Sequence, residues 1–299
     1  MITVMKWLGV NHLSLSIGKT KIMVFDEEEW CDEIRITDDM YIDECKVKKY
    51  LGLMLDYQLR FDDHIEHVKK KITKRIGAMY RSKYLLPIKY RKMFANSLML
   101  PQFDYLDTIY GKASATKLNE LDILYKKVAK IALDVPRSES SLSVYKDMKW
   151  LPLHLRRQLH LASYMFRIVK GNCPPTFVDK LEYVSGGSRS GTNCDLYVGK
   201  SKSLKELKYL GAKCWNNIAV DLRELEDVKV FSKNYKIRLL SSIQEDPDYK
   251  HNNKFSNFYK PLESMGNNID NLLNDLQDIL RTVTNAVNAA NAVRSFQTS

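Results

Sequence analysis

The hydrophobic period of this chain changes once, at Asp56, and that change limits the folds open to it. Before Asp56 the apolar residues alternate with polar ones. Residues 13–17, 20–25, 33–37 and 40–45 read as short strands bounded by acidic or turn-like stretches. Residues 49–55 alternate too, with Leu51, Leu53 and Leu55 on one face. Gly52 inside that run signals a bulge or a close backbone approach. After Asp56 the period is helical. Asp62 or Asp63 can cap a helix in which Ile65, Val68, Ile72, Ile76 and Met79 form one apolar stripe. Residues 88–100, 116–133, 154–170, 203–216 and 228–243 carry further helical patterns. The expected fold class is therefore α+β: a small antiparallel sheet, a mostly helical region, and a C-terminal heptad helix.

The divisions follow composition. Residues 1–60 make the sheet region, 61–184 the main helical region and 185–243 a helical extension that opens with a Gly/Ser-rich loop. Residues 244–268 are a polar linker. In 269–296, Ile269, Leu272, Leu276, Ile279, Val283, Ala286, Ala290 and Val293 recur at heptad spacing. Self-association through that tail, in a helical scaffold protein, is the alternative reading.

Charge is uneven along the chain. Residues 1–45 hold 4 basic and 10 acidic side chains, residues 46–101 hold 14 and 4, and the whole chain is +11. A polyanion would gain most from the middle segment, where Lys69, Lys70, Lys71, Lys74 and Arg75 surround the apolar stripe. RNA or DNA, held through phosphates, is the expected partner. No apolar run approaches the roughly 18 residues of a membrane helix. The first 21 residues lack a signal-peptide core, and five unpaired-looking cysteines do not make a disulfide scaffold. An intracellular protein of nucleus or cytoplasm, not secreted, is expected.

Several catalytic patterns fail on spacing. Gly18-Lys19-Thr20 lacks the earlier glycine of a phosphate loop, since Leu13 stands there. His64-Ile65-Glu66-His67 has the wrong order for a zinc protease, and Cys31, Cys45, Cys173, Cys194 and Cys214 contain no Cys-x-x-Cys pair. Asp38-Asp39 suits a turn between strands better than a metal site. No metal site is expected.

Five stretches, in order, resemble the reverse transcriptases of non-LTR retrotransposons (LINE-type, jockey-like). They are Trp7 through Phe25, then Lys49-Tyr50-Leu51-Gly52-Leu53 with Leu55-Asp56. Phe61 to Tyr84 follows, with Leu86-Pro87, Leu100-Pro101 and Phe103-Asp104-Tyr105. The last two are Trp150-Leu151-Pro152-Leu153 with Arg156, Arg157 and His160, and Gly211 through Asn216. The resemblance spans about residues 6–243 and implies a palm remnant followed by a thumb-like helical domain. It implies that Lys19 lies near the incoming nucleotide's phosphates, stabilising charge or donating a proton to pyrophosphate. It also implies that Tyr50, Leu51, Gly52 and Leu53 form the hairpin that grips the primer.

Ser16 departs from the asparagine usual in the family. The family's catalytic carboxylates precede the segment that opens this chain, and Asp38-Asp39 follows the Lys-Thr pair instead. The two magnesium ions of the intact family are therefore not expected here, nor is any other cofactor. The expected protein is a truncated, catalytically inactive polymerase fragment that retains non-sequence-specific nucleic-acid binding.

Overall fold

A computed structural model describes residues 2–25, 33–37, 40–179, 181–184, 195–198 and 207–245. The heptad segment 269–296, residues 246–268 of the expected linker 244–268, Cys31, Cys194, Asp38 and Asp39 lie outside the described residues, while Gln244 and Glu245 end a helix rather than open a linker. The chain divides into two compact units, Met1–His67 and Val68–Ser299.

The first unit opens with helix α1 (Ile2–Val10), and a single 3-10 turn follows at Ile17–Lys19. Strands β1 (Glu33–Thr37) and β2 (Met40–Asp43) pair antiparallel, and so do β3 (Val47–Tyr50) and β4 (Leu53–Asp56). The α+β class therefore holds, as two separate two-stranded ladders.

Two expected strands are absent. Residues 13–16 are irregular and lead into the 3-10 turn, and in 20–25 only Ile22 forms a bridge, parallel to Glu44. Five alternating residues are too few to outweigh local turn chemistry here: Thr20 donates from both its backbone amide and its hydroxyl to the Ser16 carbonyl.

Residues 49–55 are not one strand either. Leu51 (φ 44°) and Gly52 (φ 88°) both take left-handed conformations and form a two-residue hairpin turn. Gly52 marks that reversal, not a bulge. Leu53 and Leu55 are buried, while Leu51 is exposed at the tip.

Asp56 turns the chain from sheet to helix. Its carboxylate accepts the amides of Gln58 (3.2 Å), Arg60 (2.9 Å) and Phe61 (2.7 Å). That satisfies the loop's donors while Leu59 and Phe61 adopt positive φ. Helix α2 (Asp62–Ser82) then begins, with Asp62 and Asp63 in its first turn, where the helix dipole favours carboxylates. The stripe Ile65, Val68, Ile72, Ile76 and Met79 is buried throughout.

In the second unit, α3 (Ile88–Phe94), a π-turn at Ala95–Met99 and α4 (Leu100–Asp104) run on without a break. Pro101 lacks an amide hydrogen and cannot donate to the carbonyl four residues back, so the ladder is disturbed where the π-turn lies. Leu106, at φ 56°, turns α4 into the short α5 (Asp107–Tyr110). Then follow α6 (Ala115–Leu133), α7 (Ser141–Met148), α8 (Leu153–Val169), α9 (Pro175–Val178), α10 (Leu207–Asn216), α11 (Val220–Arg223) and α12 (Val228–Glu245). The core of this unit sits between α8, α10 and α12, where the rings of Phe166 and Phe231 stack at 4.4 Å. No described helix is long and apolar enough to cross a membrane.

Candidate nucleic-acid interface

Helix α2 sorts its cations into two groups. Lys70, Lys71 and Lys74 are exposed. Lys69 instead forms an ion pair with Glu120 of α6 at 2.6 Å, and Lys117 approaches the same carboxylate at 3.6 Å. The Lys69 hydrogen bond holds the Glu120 carboxyl below its ordinary range. Arg75 donates to the carbonyl of Leu98 in the π-turn. Of the five cations expected to face phosphates, three stand free on the surface and two fasten α2 to neighbouring helices.

The stretch without acidic residues extends beyond α2. From His67 to Phe103 the chain has ten basic residues and no acidic one. After α2 it turns at 83–87, where Lys83 reaches Asp134 at 2.9 Å and Arg91 reaches the same carboxylate at 3.3 Å. Hydrogen bonds from Lys83 and then Arg91 keep the Asp134 carboxyl low, and Asp134 in turn keeps the Lys83 ammonium charged above its usual range. An open groove of ≈ 880 Å³ runs along α3 and the π-turn, lined by Ile88, Lys89, Lys92, Met93, Asn96 and Ser97.

In the first unit, Lys19 is exposed at the end of the 3-10 turn. Tyr50 and Leu51 are exposed at the hairpin tip, Gly52 is half-buried and Leu53 points into the core. The hairpin is thus present, with its tip open to solvent.

Arg156 and His160, also singled out in the sequence, have structural partners. Arg156 donates from Nε and Nη2 to the two carboxylate oxygens of Asp104, the second bond at 2.6 Å. His160 Nδ1 lies 2.6 Å from Oδ2 of the buried Asp107. Phe103 meets Tyr125 edge-on at 5.2 Å, and Tyr125 stacks on Trp150 at 4.8 Å. The Tyr125 hydroxyl donates to the Leu151 carbonyl at 2.8 Å, and Trp150 Nε1 donates to Asn96 at 2.7 Å. The stretch around Phe103-Asp104-Tyr105 and the stretch from Trp150 to His160 therefore meet as one knot.

In α10, Asn216 holds both backbone groups of Leu196, and the Cys214 thiol is buried and pushed up to about 12. His64 is buried and accepts the Met54 amide at 3.3 Å through Nδ1, as a core histidine would.

Asp104, Asp107 and His160 form the cluster among the described residues that most nearly resembles a metal site. It does not fit magnesium. Both Asp104 oxygens accept from a guanidinium, which would repel a dication, and an Asp107 oxygen is taken by His160.

The knot, the hairpin and the lysine row define an α+β protein whose motif side chains fasten helices and whose Lys70, Lys71 and Lys74 remain at the surface. Comparison with known proteins finds a similar one: a probable RNA-directed DNA polymerase from transposon X-element of Drosophila melanogaster, 21% identical over 142 residues. The match covers 45% of this chain and 16% of that protein, so the likeness is to a small part of it. No family model and no solved structure matches the chain. A region of the chain is thus similar to a retrotransposon reverse transcriptase.

Proposed function

We propose that this chain is the palm-end and thumb-like portion of a non-LTR retrotransposon reverse transcriptase, and that it binds RNA or DNA through phosphates without reading sequence. The observation that carries the reading is the exposed row Lys70, Lys71 and Lys74, within a stretch of 37 residues free of acidic side chains. A polymerase holds its template–primer duplex by the backbone, and such a row supplies charge at helical spacing. The hairpin at Tyr50–Leu53 and the exposed Lys19 suit the primer and phosphate roles that the resemblance implies, and the relative named above supports the polymerase class. On this reading the chain binds and does not catalyse, because its sequence has no aromatic-x-Asp-Asp carboxylate pair to position two metal ions.

Binding of a DNA duplex should weaken linearly in log–log salt plots. Replacing Lys70, Lys71 and Lys74 with alanine should reduce the slope by about 2–3, at roughly 0.9 per lost phosphate contact. An unchanged slope places the interface elsewhere. Primer extension with magnesium should show no incorporation by the purified chain, and incorporation would overturn the non-catalytic part.

A further inference from the structure

The turn between α2 and α3 exposes more aromatic surface than a solvated corner needs. Tyr84 is 84% exposed, Tyr80 56% and Tyr90 49%. Two of these rings are organised around one cation: Lys83 Nζ lies 5.4 Å from the Tyr80 centroid and 5.0 Å from the Tyr84 centroid. Asp134 holds that ammonium in place, so the rings flank an anchored charge. Arg81 and Lys89 are exposed on the same segment, and Met93 and Ile88 floor the groove beside it.

We propose that this corner is a stacking platform for single-stranded nucleic acid, distinct in chemistry from the lysine row of α2. The inference rests on the reading of the chain as a nucleic-acid binder and narrows it. A duplex presents phosphates and hides its base faces, so it gains little from exposed tyrosines. An unpaired strand presents both, and successive bases can stack on aromatic side chains while cations track the backbone. Charge favours this occupant over a protein: residues 80–98 carry no acidic side chain, and with Lys83 and Arg91 paired to Asp134, the cations of Arg81 and Lys89 remain exposed. Tyrosine also suits bases of any identity, since every base has a π-face.

The test uses the full chain and two probes, a single strand of roughly 12 nucleotides containing 2-aminopurine and a duplex of the same length. The single strand should bind with quenching of the 2-aminopurine. Tyr80→Ala with Tyr84→Ala should weaken that binding about tenfold or more and abolish the quench, since each stacked base contributes that order of affinity. Duplex affinity should change less than twofold. Tyr80→Phe with Tyr84→Phe should restore single-strand binding, because the ring and not the hydroxyl stacks. If both probes bind and the alanine pair changes neither, the platform is refuted while nucleic-acid binding stands. If neither probe binds, both readings fall. Self-association that disappears in the alanine pair, without single-strand binding, identifies the corner as a protein interface and also overturns the proposal.

Discussion

Removing either half of the Asp104–Arg156 clasp should unfold the helical unit more easily without altering how the surface meets phosphates. The pair is bidentate, and its side chains keep only 13% and 23% of their accessible surface for Arg156 and Asp104. An exposed ion pair contributes about 0–1 kcal/mol, whereas breaking a fully buried one costs about 3–5 kcal/mol. A mostly buried, two-bond pair belongs between these, so Asp104→Ala and Arg156→Ala should each cost about 2–3 kcal/mol. Arg156→Lys keeps the charge and loses the fork, and should recover about half of that.

The assay is urea unfolding of both single variants and the double variant, closed as a double-mutant cycle. Once one partner is gone, most of the loss has been taken, so the double variant should be little worse than either single one. A coupling energy of about 1.5 kcal/mol or more is expected. Additivity within about 0.5 kcal/mol would show that the clasp carries nothing. Salt-dependent binding is the second readout. If either variant keeps its stability and loses nucleic-acid affinity, these residues belong to the interface and not to the helix packing.

Three further outcomes follow from the same structure. Burial, then Arg157 and Lys126, lower the His154 pKa to about 4 from its ordinary 6.5. The unfolded state therefore takes up the proton first, and stability should fall by on the order of 2 kcal/mol as pH drops from about 6.5 to 4; thermal melts of His154→Phe should show a flatter profile over that window. A Cβ on Gly211 would sit 2.4 Å from the Met165 sulfur. Gly211→Ala should therefore destabilise by about 1 kcal/mol in the wild-type background and stabilise by about 0.5–1 kcal/mol in Met165→Ala, where helix propensity acts without the clash; equal effects in the two backgrounds would remove the contact argument. Lys70→Ala should lower the salt slope of duplex binding by about 0.9, while Lys69→Ala, whose ammonium is committed to Glu120, should leave it unchanged; equal losses would mean that the ion pair opens on binding.

What the sequence made legible and what it hid divide along physical lines. The stripe Ile65–Met79 was readable because five apolar residues at helical spacing can be buried together only on a helix. The helices beginning at Ala115, Leu153 and Val228 were readable for the same reason. Helix α7 is not legible in the sequence, because its eight residues give the pattern little more than two turns. The Asp56 loop was hidden as well, since a carboxylate that accepts three amides looks in sequence like any other aspartate. Gly52 announced a special backbone position, but the neighbouring leucines suggested a continuous strand.

The harder lesson concerns charge. A run such as Lys69-Lys70-Lys71 looks uniform in sequence, but consecutive residues on a helix point about 100° apart. Lys69 therefore faces α6 while Lys70 and Lys71 face solvent. Nothing local to the run names Glu120, which lies 51 residues on. Arg156 finds Asp104 across 52 residues in the same way. A cationic segment thus sets an upper bound on its phosphate-facing surface, and the acids brought to it by the fold set the remainder. Here two of the five cations from Lys69 to Arg75 are taken, Lys69 by the Glu120 carboxylate and Arg75 by the Leu98 carbonyl. From Lys69 to Arg75 the charge left for a polyanion is that of Lys70, Lys71 and Lys74, and a measured salt slope nearer five contacts than three over these residues would show that the intramolecular bonds yield to phosphate.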